Sequence, residues 1–312
     1  MLLLSQKEKH APSDQTVFMP DLLVSASAPQ AGIAIAAATT TELVAEIRAR
    51  HDLSPVAAAA TGRLVTGTAL FGVSLKGSER ITLQISGDGP VGSIAADAWL
   101  LEPEVLAARA VAKNPRADLP LNVAGKFDVA GIIGAGSLQV TKSYEVGQPY
   151  VGVVPLYSGE IAEDIASYLV NSEQIPSVVA LGVLANPDGV LAAGGVLAQV
   201  LPGADERAIA SLEERALAMP PITSLIRDGA DAHELLCALA GPIELRSQRS
   251  LQIHFACTCT REKVEAALLG MGADELRALA SERAQSEATC EFCKKPYVFT
   301  SDELRALASR SA

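Results

Sequence analysis

Basic residues are scarce. The 312-residue chain holds 25 Lys and Arg against 36 Asp and Glu, a formal charge of −11. Such a surface repels nucleic acid and anionic membranes, so neither is an expected partner. Aromatic residues make up only 4% of the chain, with one tryptophan. The core must therefore be packed from Ala, Val, Leu and Ile. Long uninterrupted apolar runs are missing too. Residues 56–75 carry Arg63, and 178–201 is broken by Asn186-Pro187-Asp188-Gly189. No segment reads as membrane-spanning. The opening Met1-Leu2-Leu3-Leu4 is too short for a secretory h-region and gives way to Ser5-Gln6-Lys7-Glu8-Lys9. The expected location is cytoplasmic. A nucleophile elbow and a catalytic constellation of Asp, Glu and His are also lacking, so an enzyme is not expected.

What is present divides the chain unevenly. Residues 1–17 read as an N-terminal tail and 18–203 as a main domain. In that domain strands are expected at 22–25, 33–38, 81–85, 105–112, 137–144 and 150–157, and helices at 41–50, 55–72 and 160–171. The Asn-Pro-Asp-Gly turn joins two further strands, 178–184 and 190–201. Strands and helices cluster rather than alternate, which makes the expected fold class α+β. Residues 204–248 read as a helical linker, with Asp231 and Glu234 forming a capping box for a helix over 232–240. Short helices of this kind are marginal in water, so their apolar stripes must lie against something else. Residues 249–312 form a small cysteine-bearing domain with an extended entry at 250–256, helices at 260–269 and 273–281, a strand at 297–299 and a last helix opened by Thr300 and Glu303.

Cysteine is rare and clustered. Four of the five residues form two pairs, Cys257-Thr258-Cys259 and Cys290-Glu291-Phe292-Cys293, with 30 residues between them. Two close pairs of thiolates supply the four sulfur donors of a tetrahedral zinc site. Clustered thiols in a reducing compartment point to metal or redox chemistry rather than a static disulfide framework. Zinc ribbons often bind nucleic acid. Here residues 251–312 hold eight Lys and Arg against nine Asp and Glu, net −1, without the basic stripe such a reader needs.

Other motifs carry bland readings. Gly87-Asp88-Gly89-Pro90-Val91-Gly92 matches a dinucleotide fingerprint, but Pro90 and the extended sequence after it fit a turn better. His254 precedes the first cysteine pair; four thiols already fill a shell, so it is expected to pack. Cys237, among Leu235, Leu236 and Leu239, is expected to be a buried apolar residue. Tyr150–Tyr157 is expected to be a core strand.

The C-x-C and C-x-x-C pairs at this spacing resemble the redox-regulated 33-kilodalton heat-shock chaperone family. Gly87-Asp88-Gly89-Pro90, Tyr150-Val151-Gly152-Val153-Val154, Ser172-Glu173-Gln174-Ile175-Pro176, Ala192-Ala193-Gly194-Gly195 and Gln199-Val200-Leu201-Pro202 are similar to that family's upstream segments. Thr258 and Arg261-Glu262 also fit, and the likeness spans roughly residues 18–307. The tail and the alanine-rich composition depart from it. The resemblance implies an ATP-independent holdase, inactive while one zinc is held by Cys257, Cys259, Cys290 and Cys293. It implies disulfides Cys257–Cys259 and Cys290–Cys293 on oxidation, loss of zinc, unfolding of module and linker, and binding of unfolded client proteins, with a homodimer as the active state. Two alternatives are a zinc-stabilised nucleic-acid-binding or translation factor, and a metabolic enzyme built on residues 18–203 with a structural zinc.

Overall fold

The computed structural model describes residues 20–310; the expected tail, 1–17, lies outside the described residues. Among the described residues the architecture is α+β, with one ten-stranded sheet, a two-stranded sheet and ten α-helices. The first hairpin pairs β1 (Leu22–Ala28) with β2 (Ile33–Thr39), and α1 (Thr41–His51) and α2 (Pro55–Phe71) follow. Ser54 opens α2 by accepting the Ala57 amide at 3.0 Å, and Pro55 takes the first turn, where no amide is needed. This helix, extended to Ser74, is long and apolar enough to cross a membrane, but 89% of its 18-residue apolar window is buried within the protein. It is a core helix laid across the sheet. Runs of Ala, Gly and Thr let it lie close to the strands.

The sheet continues with β3 (Arg80–Gly87), β4 (Ser93–Glu102), β5 (Val105–Ala112), β6 (Gly136–Ser143) and β7 (Tyr150–Pro155), with the short α3 (Val129–Ile133) between β5 and β6. Then come α4 (Ala162–Ser172), β8 (Ser177–Asn186) and β9 (Gly189–Val200). The Gly87–Gly92 segment is a hairpin turn joining β3 to β4, closed by the Gly87 amide on the Gly92 carbonyl at 2.8 Å. A Cβ on Gly87 would sit 2.0 Å from the Ile133 carbonyl oxygen, so close approach of α3 explains that glycine. A strand, not a helix, follows this motif.

Helices α5 (Glu206–Ala218), α6 (Ile222–Arg227) and α7 (Ala232–Ala240) form the expected helical stretch. The capping box is present: Asp231 accepts the Glu234 amide at 2.8 Å and Glu234 accepts the Asp231 amide at 2.9 Å. Leu212, Ile222, Leu235, Leu236 and Leu239 pack on Val24, Ile33, Ile35, Ala37 and Val196 of β1, β2 and β9. The opposite face of those strands meets α1 and α2. Both faces are covered, which is why the strands read as nearly continuous apolar runs.

Residues 246–255 straddle the expected linker and cysteine domain. They form β10 (Arg246–Phe255), which lies inside the large sheet, in the order β7-β6-β3-β4-β5-β10-β1-β2-β9-β8. It is antiparallel to β1 and parallel to β5. Pairing across more than 140 residues leaves no local trace in sequence. Beyond it come α8 (Arg261–Leu269), α9 (Ala273–Glu282), β11 (Gln285–Thr289), β12 (Pro296–Thr300) and α10 (Ser301–Arg310). They enclose a small core of Leu276, Tyr297, Phe299, Leu304 and Leu307.

Candidate metal centre

The first cysteine pair leaves the end of β10. Only Ala256 separates Phe255 from Cys257, and Thr260 then caps α8 by accepting the Lys263 amide at 3.3 Å. The second pair sits on the turn between β11 and β12. There the Lys294 amide reaches the Cys290 carbonyl at 2.8 Å, and the Cys290 amide reaches the Lys295 carbonyl at 3.0 Å. Lys294 takes a left-handed φ of 59° to close this knuckle.

The four sulfurs lie within 4.8 Å of one another. Cys257 and Cys290 are 3.8 Å apart and Cys259 and Cys293 3.3 Å. A regular tetrahedron with zinc–sulfur bonds near 2.3 Å has edges of about 3.8 Å. The donor set and its spacing fit a tetrathiolate metal site. Both of these short contacts run between the two pairs and do not select a disulfide pairing.

The surroundings treat the thiols unequally. At Cys259 burial works against ionisation, but hydrogen bonds from Tyr297 and the neighbouring thiols outweigh it and bring the pKa down to about 7. The Tyr297 hydroxyl donates to that sulfur at 3.2 Å. Burial pushes Cys293 up to about 12 and also raises Cys257. Metal binding requires all four as thiolates and therefore releases protons.

The main domain reaches into this centre. Arg109 of β5 donates from Nη1 to Cys257 Sγ at 3.1 Å and lies 3.8 Å from the centroid of the Phe292 ring. Arg50 of α1 donates to the Cys293 carbonyl at 3.1 Å. His51 Nε2 contacts the Phe292 carbonyl at 2.9 Å; a carbonyl only accepts, so this nitrogen carries the proton. Burial lowers the His51 pKa and favours the neutral ring. None of Arg50, His51 and Arg109 was expected from the sequence. The available signal was Asp97, in the alanine-rich middle of Ser93–Glu102, and Arg109, the lone charge of Val105–Ala112. They are directly opposite in the β4–β5 register.

Three expectations need correction. His254 does not pack: it is exposed, with Nε2 3.3 Å from Gln252 Oε1, because its position in β10 points away from the core. Cys237 is exposed rather than buried. In α7 the sheet-facing positions are Ala232, Leu235, Leu236, Leu239 and Ala240, and Cys237 falls on the other side. The Tyr150–Tyr157 segment contains β7, an edge strand with Tyr150, Val151, Val153 and Tyr157 exposed and Gly152 and Val154 turned inward.

Fold and site together define a mixed α/β protein with a C-terminal cluster of four cysteines that could hold a metal ion. A family model described as Hsp33 protein matches residues 21–300. The 33 kDa chaperonin of Syntrophotalea carbinolica is 44% identical over 291 residues, covering 93% of this chain and 99% of the relative. That of Bacillus subtilis is 39% identical over 293 residues, covering 93% and 99%. The crystal structure of the 33 kDa chaperonin from Thermotoga maritima matches with a TM-score of 0.86 and 35% identity, covering 94% of this chain and 99% of that one. The chain belongs to the Hsp33 family of chaperones.

Proposed function

We propose that the protein is a redox-regulated, ATP-independent holdase acting in the cytoplasm. The observation that carries this reading is an apolar sheet face on β1, β2 and β9 covered by three short helices, upstream of a four-thiol cluster. Residues 204–248 would act as the releasable cover and 249–312 as the switch module, with β10 keeping its place in the sheet. Bound zinc would hold Cys257, Cys259, Cys290 and Cys293 as thiolates, contributing roughly 10–16 kcal/mol to module folding. Each pair of thiolates, Cys257–Cys259 and Cys290–Cys293, forms a disulfide by giving two electrons to peroxide, which takes two protons from solvent and leaves as two waters. The pair then lacks the thiolates that bind metal. A module with so small a core loses its main support, and the apolar face becomes free for unfolded proteins. The working form is a homodimer. Binding rather than catalysis is the activity, and neither nucleic acid nor membrane is a partner.

The test is zinc content and free-thiol count on one sample before and after peroxide at mildly raised temperature, with suppression of client aggregation followed in parallel. Loss of one zinc and four thiols as suppression appears supports the switch. Zinc and thiols that persist under oxidant, or suppression that never appears, refute it.

A further inference from the structure

The thiol cluster is not held by its own module alone. Arg109 of β5 touches both arms of the centre, through Cys257 Sγ in the first pair and the Phe292 ring in the second. Its other two nitrogens both donate to Asp97. Asp97 Oδ2 accepts from Arg109 Nε at 2.9 Å and Nη2 at 2.6 Å, and Asp97 Oδ1 accepts from the Thr82 hydroxyl at 2.7 Å. Asp97 and Arg109 are both buried, and Trp99 lies 5.5 Å from the guanidinium. The fork cannot turn away without giving up two hydrogen bonds to a buried carboxylate, which would keep only the Thr82 hydroxyl and Arg80 at 3.4 Å.

We propose that Arg109 is a positioning residue of the thiolate centre: it clamps the two cysteine arms to the main sheet while Cys257 is a thiolate and releases them when it is not. This rests on the zinc-and-disulfide reading given above. The physical basis is an asymmetry of charge. Arginine keeps its proton under all ordinary conditions, and its hydrogen bond to an anionic sulfur is charge-assisted. When the Cys257 and Cys259 thiolates join in a disulfide, they pass two electrons to peroxide, solvent supplies the two protons that make it two waters, and the sulfur becomes a neutral, weak acceptor. The half of the guanidinium facing the module then has no anion to bind, while Asp97 still holds the other half. Oxidation would thus act twice at Cys257. It removes a metal donor and breaks the contact that seats the module on β4 and β5.

The experiment uses the full-length, reduced, zinc-loaded protein and no oxidant. Zinc release to a colorimetric chelator is timed, and alkylation of Cys257 and Cys290 is followed by peptide mass spectrometry. Arg109→Gln is expected to release zinc about tenfold faster, the scale of one charge-assisted hydrogen bond. Its Cys257 should be alkylated ahead of its Cys290. Arg109→Lys, which keeps the charge without the fork, should fall between the two. Phe292→Leu attacks the same contact from the module side, leaves the Asp97–Arg109 pair intact, and should also speed release; it decides the matter if Arg109→Gln does not fold. A lowered melting temperature with unchanged zinc release, together with a silent Phe292→Leu, would show that Arg109 only braces the sheet and would overturn the proposal. A wild-type chain that takes up no zinc overturns the metal reading itself, and is seen before any variant is made.

Discussion

Leu235→Ala isolates the cover from the sheet it covers. Leu235 is fully buried, and its helix α7 packs on β1 and β2 beside Leu236 and Leu239. Truncating a buried leucine costs about 2–5 kcal/mol through lost transfer energy and the cavity left behind. A helix of nine residues has no stability of its own to absorb such a loss. The cost therefore falls on docking of α5–α7. At about 3 kcal/mol the docked-to-undocked ratio drops roughly 150-fold. Hydrogen exchange on the reduced protein should show peptides over 206–240 opening by up to that factor, while β3, β4 and α2 stay as protected as before. Aggregation suppression should then appear with less oxidant or none. Equal loss of protection in α2 and β3 would refute the reasoning, because α5–α7 would then open only with the whole domain. Unchanged exchange over 206–240 would refute it as well.

Asp21 gives a pH dependence with a definite sign. Burial raises its pKa from 3.8 to about 7, against the Leu43 and Glu42 amides that bond it. The folded chain then holds more protons than the unfolded one between those values. Its contribution is greatest below pH 3.8 and falls as pH rises to about 7, by about 4 kcal/mol at most. Denaturant titrations from pH 4 to 7 should show this slope in wild type and lose it in Asp21→Asn; identical slopes would discard the assignment. Cys237 should be the one thiol that reacts rapidly with maleimide in zinc-loaded protein, since it is exposed and apart from the cluster. Cys237→Ser should remove that fast phase and leave zinc content unchanged, and a lowered zinc content would place Cys237 in the metal chemistry.

Much of this was legible because the signals were local. The start of α2 at Pro55, the Asp231–Glu234 box and the Asn186–Gly189 turn each depend on residues within a few positions, and all form as expected. The four cysteines were legible from spacing and rarity. What stayed hidden depended on distant partners. The face on which Cys237 falls is set by which side of α7 the sheet takes. The exposure of β7 is set by its position at the end of the strand order. Strand β4 carries alternating small residues around Asp97 and Trp99, so its pattern resembles a loop as much as a strand, and only pairing with β3 and β5 fixes it. Arg109 and Asp97 acquire their meaning from the module that settles on them.

Strand β10 sets a limit on how far unfolding can spread. It stands between β5 and β1, so removing it would cut the ten-stranded sheet into a five-stranded and a four-stranded part. It would also uncover Leu251 and Ile253, which sit in the core with α1 and α2. The chain on either side of β10 has no comparable anchorage. Before it, α5–α7 rest on one sheet face; after it, the module depends on its small core, the thiols and the contacts from Arg50, His51 and Arg109. Opening the linker and the module without β10 leaves 201–245 as a loop tied at both ends to the sheet and 256–310 as a free tail. Loop closure adds little cost at that length, since it grows only with the logarithm of the number of residues. Oxidised protein should therefore lose exchange protection over 206–240 and 261–310 while amides of Leu251 and Ile253 remain slow. Rapid exchange at those two residues would mean that the sheet itself divides, and the client-binding face would then have to be sought along β5 and β1 rather than beneath α5–α7.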